Sequence, residues 1–440
     1  MSLSALFSRF KKQNILVMGD FMMDTYTMGS VKRVSPEAPV MIVNATSQNK
    51  LPGGAGNVVL NLLSLGSNVI VLGRVGEDAV KDDLLNYLKN EKANINYLYT
   101  QKGYQTPIKN RIIAGNQQIV RVDFEKKEPL SRELEEKIIL DLPKILKSVT
   151  VIAISDYAKG FLSDNLLKAV LKKANELKIP VVVDPKGKDF EKYRGAYLIK
   201  PNLQEAYLAS GHEEDVSLEV VAKSLLQKTN IENLMITRSN QGISLFKSNK
   251  REDFPVKVKE VTDVTGAGDT VLAVLTFALS NGVPLDHAAV LCNLAAAEVI
   301  EHLGCARISI KTLAELILNH RLNNKVFSKS YLSVLQFILD HEAFILIRAS
   351  VDKQITPSFF MHLKALNKNH KDCKVLIYIE KESDDNAIIE LIASLPEVDF
   401  IINKKEDLEE ICQRHSPKMI YDLVHDQIEI KKSLLSLIVS

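Results

Sequence analysis

Five short runs rich in β-branched residues, apolar on both faces, recur along the first 240 residues. They are NILVMG (14–19), NVIVLG (68–73), VTVIAIS (149–155), IPVVVD (179–184) and NLMITR (233–238). A strand with no polar face has no side to turn to water, so it must lie in a sheet covered on both sides. Helical patterns fill the gaps at 78–92, 133–147, 162–177 and 216–229. This alternation predicts a doubly wound α/β domain from residue 14 to about 320. Ligands of such sheets sit beyond the carboxyl ends of the strands. The polar residues expected there are Asp20 and Asp24, Ser155 and Asp156, Asp184 and Lys186, and Thr237 and Arg238.

Two extended stretches interrupt the pattern. PVMIVN (39–44) and TPIKNRIIAGNQQIVRVDFE (106–125) predict a small accessory sheet, the second stretch being a hairpin that turns at Ala114-Gly115-Asn116. An inserted sheet of this kind serves as a lid over the site or simply as an extra edge. After a polar stretch at 319–330, AFILIR (343–348), KVLIYIE (374–380), DFIINK (399–404) and KMIYDLV (418–424) give a second, smaller α/β alternation. A chain of 440 residues exceeds one domain's usual size, and two domains account for it.

Charge narrows the partners. The 56 basic and 54 acidic residues leave a formal net charge of +2, too balanced to imply nucleic acid or an anionic membrane. Cys292, Cys305, Cys373 and Cys412 are scattered without a CxxC pair, which fits a reducing compartment and gives no zinc or redox signature. No apolar run reaches the ~18–20 residues of a membrane span. MSLSALFSRFKKQ (1–13) places its apolar residues before its basic ones, the reverse of a signal peptide. It reads as a short lead-in helix, and the protein as cytoplasmic.

The densest chemistry lies in DVTGAGDTVLAV (263–274). Gly266 and Gly268 let successive N–H groups point at one spot, and an apolar helix follows. A helix N-terminus carries unpaired donors and partial positive charge, so it stabilises an anion. Asp269 in that field is expected to stay ionised at neutral pH and to accept the proton of an attacking hydroxyl. On the motif alone, an N-capped helix with packing glycines remains open. PGGAGNVVLNLLSLG (52–66) opens another helix, where Gly53 and Gly54 permit close backbone approach and Asn57 offers a donor and an acceptor to a polyol. In KPNLQE (200–205), Asn202 and Glu205 either hold a hydrated Mg²⁺ near phosphates or form a capping box. Lys186 in DPKG (184–187) is a mobile charge for a phosphate or a solvated loop lysine.

Taken together, GGAGN near the start and DVTGAGDT near the end make residues 11–322 resemble a ribokinase-like (PfkB family) sugar kinase. GDFMMDTY (19–26), RVSPEAPV (33–40), NQQIVRVDFE (116–125), SDYAKG (155–160), DPKGKDFEKYRGA (184–196), KPNLQE and TRSNQG (237–242) narrow the resemblance. They are similar to the kinase module of the bifunctional heptose-7-phosphate kinase/heptose-1-phosphate adenylyltransferases of lipopolysaccharide precursor synthesis. The resemblance implies ATP-dependent phosphorylation, with Mg²⁺, of D-glycero-β-D-manno-heptose 7-phosphate at C1. It makes Asp269 the base, and the backbone of Gly266, Ala267 and Gly268 the anion hole. Asn202 and Glu205 would serve ATP and its Mg²⁺, with Glu205 reaching the metal through water. Thr237, Arg238 and Gly242 would border the nucleotide, with Asn293 near the adenine. Asp24, Gly53, Gly54 and Asn57 would hold the sugar hydroxyls. Lys109, Arg111, Arg121 and Lys186 would receive the 7-phosphate. By analogy the chain is a homodimer.

The resemblance breaks in the second domain, 325–440, expected to be nucleotidyltransferase-like. That family carries a GxFDxxHxGH motif after its first strand. Here ASVDKQITPSFFMHL (349–363) puts Thr356 and Phe359 where the two histidines belong and Ser358 in place of the glycine, and His362 matches neither position. The domain is read as degenerate, its fold kept and its chemistry lost. A kinase for another sugar phosphate and a non-catalytic sugar-phosphate sensor are the alternatives. Retention of Asp269, the glycines, Asn202 and Glu205 argues against the sensor.

Overall fold

The structure, a computed structural model, describes residues 10–115, 117–247, 250–256, 261–302, 304–321, 325–327, 332–350, 356–380, 386–424 and 427–431. Residues 1–9 of the expected lead-in helix, Asn116 of the hairpin turn, and 351–355 of the degenerate motif lie outside them. The chain divides into two compact units, one of Lys11–Ile310 and one that contains Lys311–Ser440.

In chain order the first unit contains β1 (Asn14–Gly19), β2 (Phe21–Val34), β3 (Met41–Gly54), β4 (Asn68–Val75) and β5 (Asn94–Thr100). Next come β6 (Ile108–Ala114), β7 (Gln117–Phe124), β8 (Val151–Ser155), β9 (Val181–Asp184) and β10 (Leu198–Ile199). The series ends with β11 (Asn233–Thr237), β12 (Ile243–Lys247) and β13 (Lys250–Phe254). Among the described residues nine of these strands form one sheet, in the order β13-β12-β11-β10-β9-β8-β1-β4-β5. All five runs expected to be strands lie inside it. From β5 to β11 the pairing is parallel; β12 and β13 add an antiparallel edge that apolar periodicity did not predict.

The sheet is covered on both faces, as strands without a polar side require. Helices Arg132–Ile145, Asp164–Glu176 and Leu218–Thr229 build a core on one face with Leu16, Ile152, Ile154 and Val183. Helix Ala267–Ser280 packs against β8, β9 and helix Ala55–Ser64. It is buried from Asp269 to Ala278, so its apolar run circles the whole helix rather than forming one stripe.

β3, β2, β6 and β7 form the separate four-stranded sheet. The chain passes from β1 into β2 across the single residue Asp20, and β2 runs 14 residues. Asp24, expected in a loop after the first strand, therefore lies within a strand of the accessory sheet. This sheet is buried where Phe21–Tyr26 join the domain and open at its far end, where Val34 is 62% and Met41 59% exposed.

The second unit carries β14 (Val326–Phe327), β15 (Phe344–Ser350), β16 (Lys374–Glu380), β17 (Phe400–Ile402), β18 (Met419–Val424) and β19 (Gln427–Lys431). They pair in the order β14-β17-β16-β15-β18-β19, parallel except for β19. Helix Pro357–Asn369 follows β15, capped by the Thr356 hydroxyl, which accepts from the Phe359 N–H. Phe359 itself is buried in this unit's core beside Ile347 and Leu363.

Candidate active site

The loop before helix Ala267–Ser280 is shaped by Asp263. Its carboxylate accepts from the N–H groups of Thr265 and Gly304, each at 2.9 Å. Burial pulls Asp263 upward, but those bonds prevail and hold it below the usual carboxylate range. Gly266 caps the helix with φ of 80°, where a Cβ would lie 2.6 Å from Asn57 Nδ2. No L side chain fits that position without strain. Asn57 uses the cleared space to donate to Asp269 Oδ2 at 3.1 Å, and the Tyr157 hydroxyl donates to Oδ1 at 2.8 Å.

Asp269 departs from the sequence expectation in its charge. Burial lifts its pKa to about 7, against the two hydrogen bonds and with help from the Asp184 and Asp24 carboxylates. The helix field does not hold it fully ionised at neutral pH, because desolvation disfavours the charged form more than the field favours it. A base poised near 7 is matched to proton transfer at physiological pH.

Asp24 faces the same region. Its Oδ1 accepts from Arg111 at 2.6 Å, and both side chains are buried. A Cβ on Gly53 would stand 2.0 Å from Asp24 Oδ2, so glycine there is a steric condition for this carboxylate's position. The Tyr26 hydroxyl and Cys305 lie 3.5 Å apart beside it, and burial pushes the thiol up to about 12, which keeps it unreactive. Lys109 sits opposite Asp24 in the β2–β6 register, its amine 5.0 Å from the centre of the Tyr157 ring. Burial lowers its pKa against the pull of Asp24. Arg121 is exposed and paired with Asp123 at 2.9 Å.

Beside the helix mouth opens a cavity of about 300 Å³, lined by Thr237, Gly242, Val264, Ala267, Gly268 and Asn293 among others. Asn293 is buried and donates to the Phe254 carbonyl at 2.7 Å. Arg238 instead turns to its own loop, donating to Gln241 at 3.2 Å, and does not line the cavity. Asn202 and Glu205 form the capping box weighed above: Asn202 Oδ1 accepts from Glu205 N at 2.8 Å, and Glu205 Oε2 from Asn202 N at 3.0 Å. The other Glu205 oxygen accepts from Lys186 at 2.7 Å. Lys186, grouped by sequence with the accessory-sheet cations, is thus set against Glu205, because the strand end at Asp184 delivers it beside the start of helix Leu203–Ser210. Asp184 pairs with buried Lys200 at 3.1 Å, yet burial still raises its pKa to about 6. Among the described residues no three acidic, histidine or cysteine groups converge as a metal cage. The oxygen donors Glu205 and Asp184 suit a Mg²⁺ held mainly by phosphates and water.

Sequence reasoning named Asp269, Asn57, Asp24 and the glycines, and the structure brings them together. It missed Tyr157, Arg74 and Lys200. Tyr157 stands in SDYAKG with no signal of its own, and Arg74 and Lys200 sit at strand ends, where a cation is as readily solvated as buried.

Comparison with known proteins bears on this geometry. The model of the pfkB family of carbohydrate kinases matches residues 12–313. The bifunctional protein HldE of Trichlorobacter lovleyi is 41% identical over 334 residues, covering 75% of this chain and 68% of that protein. The HldE of Geobacter metallireducens is 43% identical over 311 residues, covering 70% and 64%. The chain thus spans about two thirds of the length of these relatives. Solved structures agree on the fold: Arabidopsis thaliana ribokinase complexed with ribose and ATP superposes with a TM-score of 0.55 at 18% identity, covering 70% of this chain and 99% of the ribokinase. Phosphofructokinase-2 of Escherichia coli in complex with potassium gives 0.59 at 16%, with the same coverage. The described residues include no helix long and apolar enough to cross a membrane. With a family match over two thirds of its length and an acid at the mouth of a glycine-headed helix, this chain belongs to the pfkB family of carbohydrate kinases.

Proposed function

We propose that the chain transfers the terminal phosphoryl group of ATP to the anomeric hydroxyl of D-glycero-β-D-manno-heptose 7-phosphate, giving the 1,7-bisphosphate. The observation that carries this reading is the placement of Asp269. Ala267 and Gly268 beside it line the 300 Å³ cavity, and Tyr157, which holds its carboxylate, underlies Lys109 on the accessory sheet. One carboxylate therefore stands within reach of a nucleotide site and a polyol-phosphate site.

The adenine enters the apolar cavity near Asn293, with Thr237 and Gly242 at its border. The terminal phosphate meets the amides of Gly266 and Gly268, and that of Ala267 once it leaves the Val264 carbonyl that accepts from it at 3.3 Å. Asp24, Gly53, Gly54 and Asn57 orient the sugar. Asp269 accepts the proton of the C1 hydroxyl as its oxygen attacks. Glu205, through water, and Asp184 would hold a Mg²⁺ that neutralises charge on the nucleotide phosphates. Lys109 receives the 7-phosphate: among the described residues its amine has a ring beneath it but no carboxylate in contact. Arg111 is committed to Asp24 and supports this site, while Arg121 lies at its exposed margin. The accessory sheet carrying them acts as the lid.

The relatives named HldE and the stretches quoted above support heptose 7-phosphate as the acceptor. Rates of ADP release with heptose 7-phosphate, ribose 5-phosphate and fructose 6-phosphate test it. Preference for the heptose by tenfold or more in kcat/KM is expected, and equal rates would refute the substrate. The second unit is proposed as a degenerate nucleotidyltransferase, since Thr356 is spent on a helix cap and Phe359 on the core. The protein is proposed to be cytoplasmic and homodimeric through the open end of the accessory sheet, where Val34, Val40 and Met41 would leave water. Sedimentation of the wild type against Val34→Lys/Met41→Lys tests this: a shift from dimer to monomer is expected, and a wild-type monomer refutes it.

A further inference from the structure

The loop Asp156–Gly160 is held harder than a connecting loop needs. Asp20 Oδ2 accepts from the N–H groups of Tyr157 at 2.9 Å and Lys159 at 3.1 Å. The fully buried Arg74 donates to the Lys159 carbonyl at 2.8 Å, to Pro129 O at 2.8 Å, and to Glu128 O. Asp156 accepts from the Tyr193 hydroxyl and from Lys192, each at 2.6 Å. Within this frame Ala158 takes φ of 55°, a left-handed conformation that a residue with a Cβ disfavours. At Gly160, φ is 96° and a Cβ would stand 2.1 Å from Glu128 O. Strain of this kind persists only where the surroundings over-determine it, and it gathers at working sites. What the loop presents is one group: the Tyr157 hydroxyl, 2.8 Å from Asp269 Oδ1.

We propose that Tyr157 is a positioning residue for phosphoryl transfer, its hydroxyl fixing the Asp269 carboxylate in the charged, proton-accepting state. This rests on Asp269 being the base. Every other charged neighbour leaves a task for such a donor. Asp24 and Asp184 both oppose charge on Asp269, and the Cys305 thiol lies between Asp24 and Gly266 without a charge to offer. Arg111 is taken by Asp24 and Lys200 by Asp184. Only the Tyr157 hydroxyl and the Asn57 amide donate to the carboxylate among the described residues, and Asn57 is also engaged with Asn61. A hydrogen bond to an ionised acceptor favours the ionised form.

The test is the pH dependence of kcat/KM for wild type, Tyr157→Phe and Asp269→Asn. Phenylalanine keeps the ring and removes one oxygen, and ATP binding by calorimetry verifies the fold. The acid limb of Tyr157→Phe is expected to move about one pH unit upward, the size of a lost hydrogen bond to a charged group. At the alkaline plateau the loss should be only a few-fold. A limb that coincides with the wild type's, while Asp269→Asn is inactive, refutes the proposal and leaves the base intact. Retained turnover in Asp269→Asn refutes the base itself. For a Tyr157→Phe too slow for kinetics, ¹³C titration of the Asp269 carboxyl decides: an upward shift supports the proposal, no shift overturns it.

Discussion

At position 269 two physical effects compete, and their balance sets the chemistry. The helix mouth favours a negative charge, but complete enclosure removes the water that would solvate it, and enclosure prevails, with the pKa at about 7. Asp269→Asn should lower kcat by ~10² or more, since general bases contribute 10²–10⁴-fold, with ATP affinity little changed. Burst-free steady-state rates and nucleotide titration check both halves. Stability supplies a second readout with a definite sign. The folded-state pKa lies above its ordinary value of 3.8, so the native protein binds the extra proton and gains stability below that value. This stability is lost as pH rises through about 7. Asp269→Asn is free of that loss, so its Tm relative to wild type should climb between pH 5 and pH 8. A flat difference across that range would contradict the enclosure. Asp269 was legible in the sequence because glycines and an apolar helix frame it. Its raised pKa was not, because enclosure comes from Tyr157, Asn57 and other elements far apart in the chain.

Elements show the same division. The five buried strands announced themselves because each is apolar on both faces, and the helix caps at Asp78, Ser131 and Ser163 followed ordinary side-chain rules. β2 did not: FMMDTYTM is buried over its first half, so polar Asp24 and Thr25 are inward beside apolar neighbours and the alternation that marks a half-exposed strand is absent. The edge hairpin β12–β13 was hidden for the opposite reason, since KREDF is polar and mostly exposed. The capping box of helix Leu203–Ser210 was visible as a pattern but not as a choice, because the same two residues suit a cap and a nucleotide site. Two substitutions separate these duties. Asn202→Ala removes a cap and should cost about 1 kcal/mol, read by denaturant unfolding. Glu205→Gln keeps an acceptor for the Asn202 N–H and should leave stability nearly unchanged while raising KM for Mg·ATP severalfold. An unchanged KM would confine Glu205 to the cap.

Across the molecule, the first unit joins a covered, mostly parallel sheet, a glycine-headed helix and an accessory sheet carrying Asp24, Lys109 and Arg111. The second unit repeats the α/β layering with a different logic: at the helix that follows β15 the positions of two expected histidines hold a capping threonine and a core phenylalanine. The replacement was readable from sequence, because it is an absence of histidines at a fixed spacing. The burial of Phe359, which shows the position reused for packing, was not. The central claim is that Asp269 and the neighbouring amides pass a phosphoryl group to a sugar oxygen. ³¹P NMR of the purified chain with ATP, Mg²⁺ and heptose 7-phosphate, wild type beside Asp269→Asn, tests it most directly. The wild type should yield ADP and a new anomeric phosphate resonance with no nucleotide-sugar signal, and Asp269→Asn neither product. A wild type that leaves the sugar unphosphorylated, or an Asp269→Asn that phosphorylates it at the wild-type rate, would contradict the account.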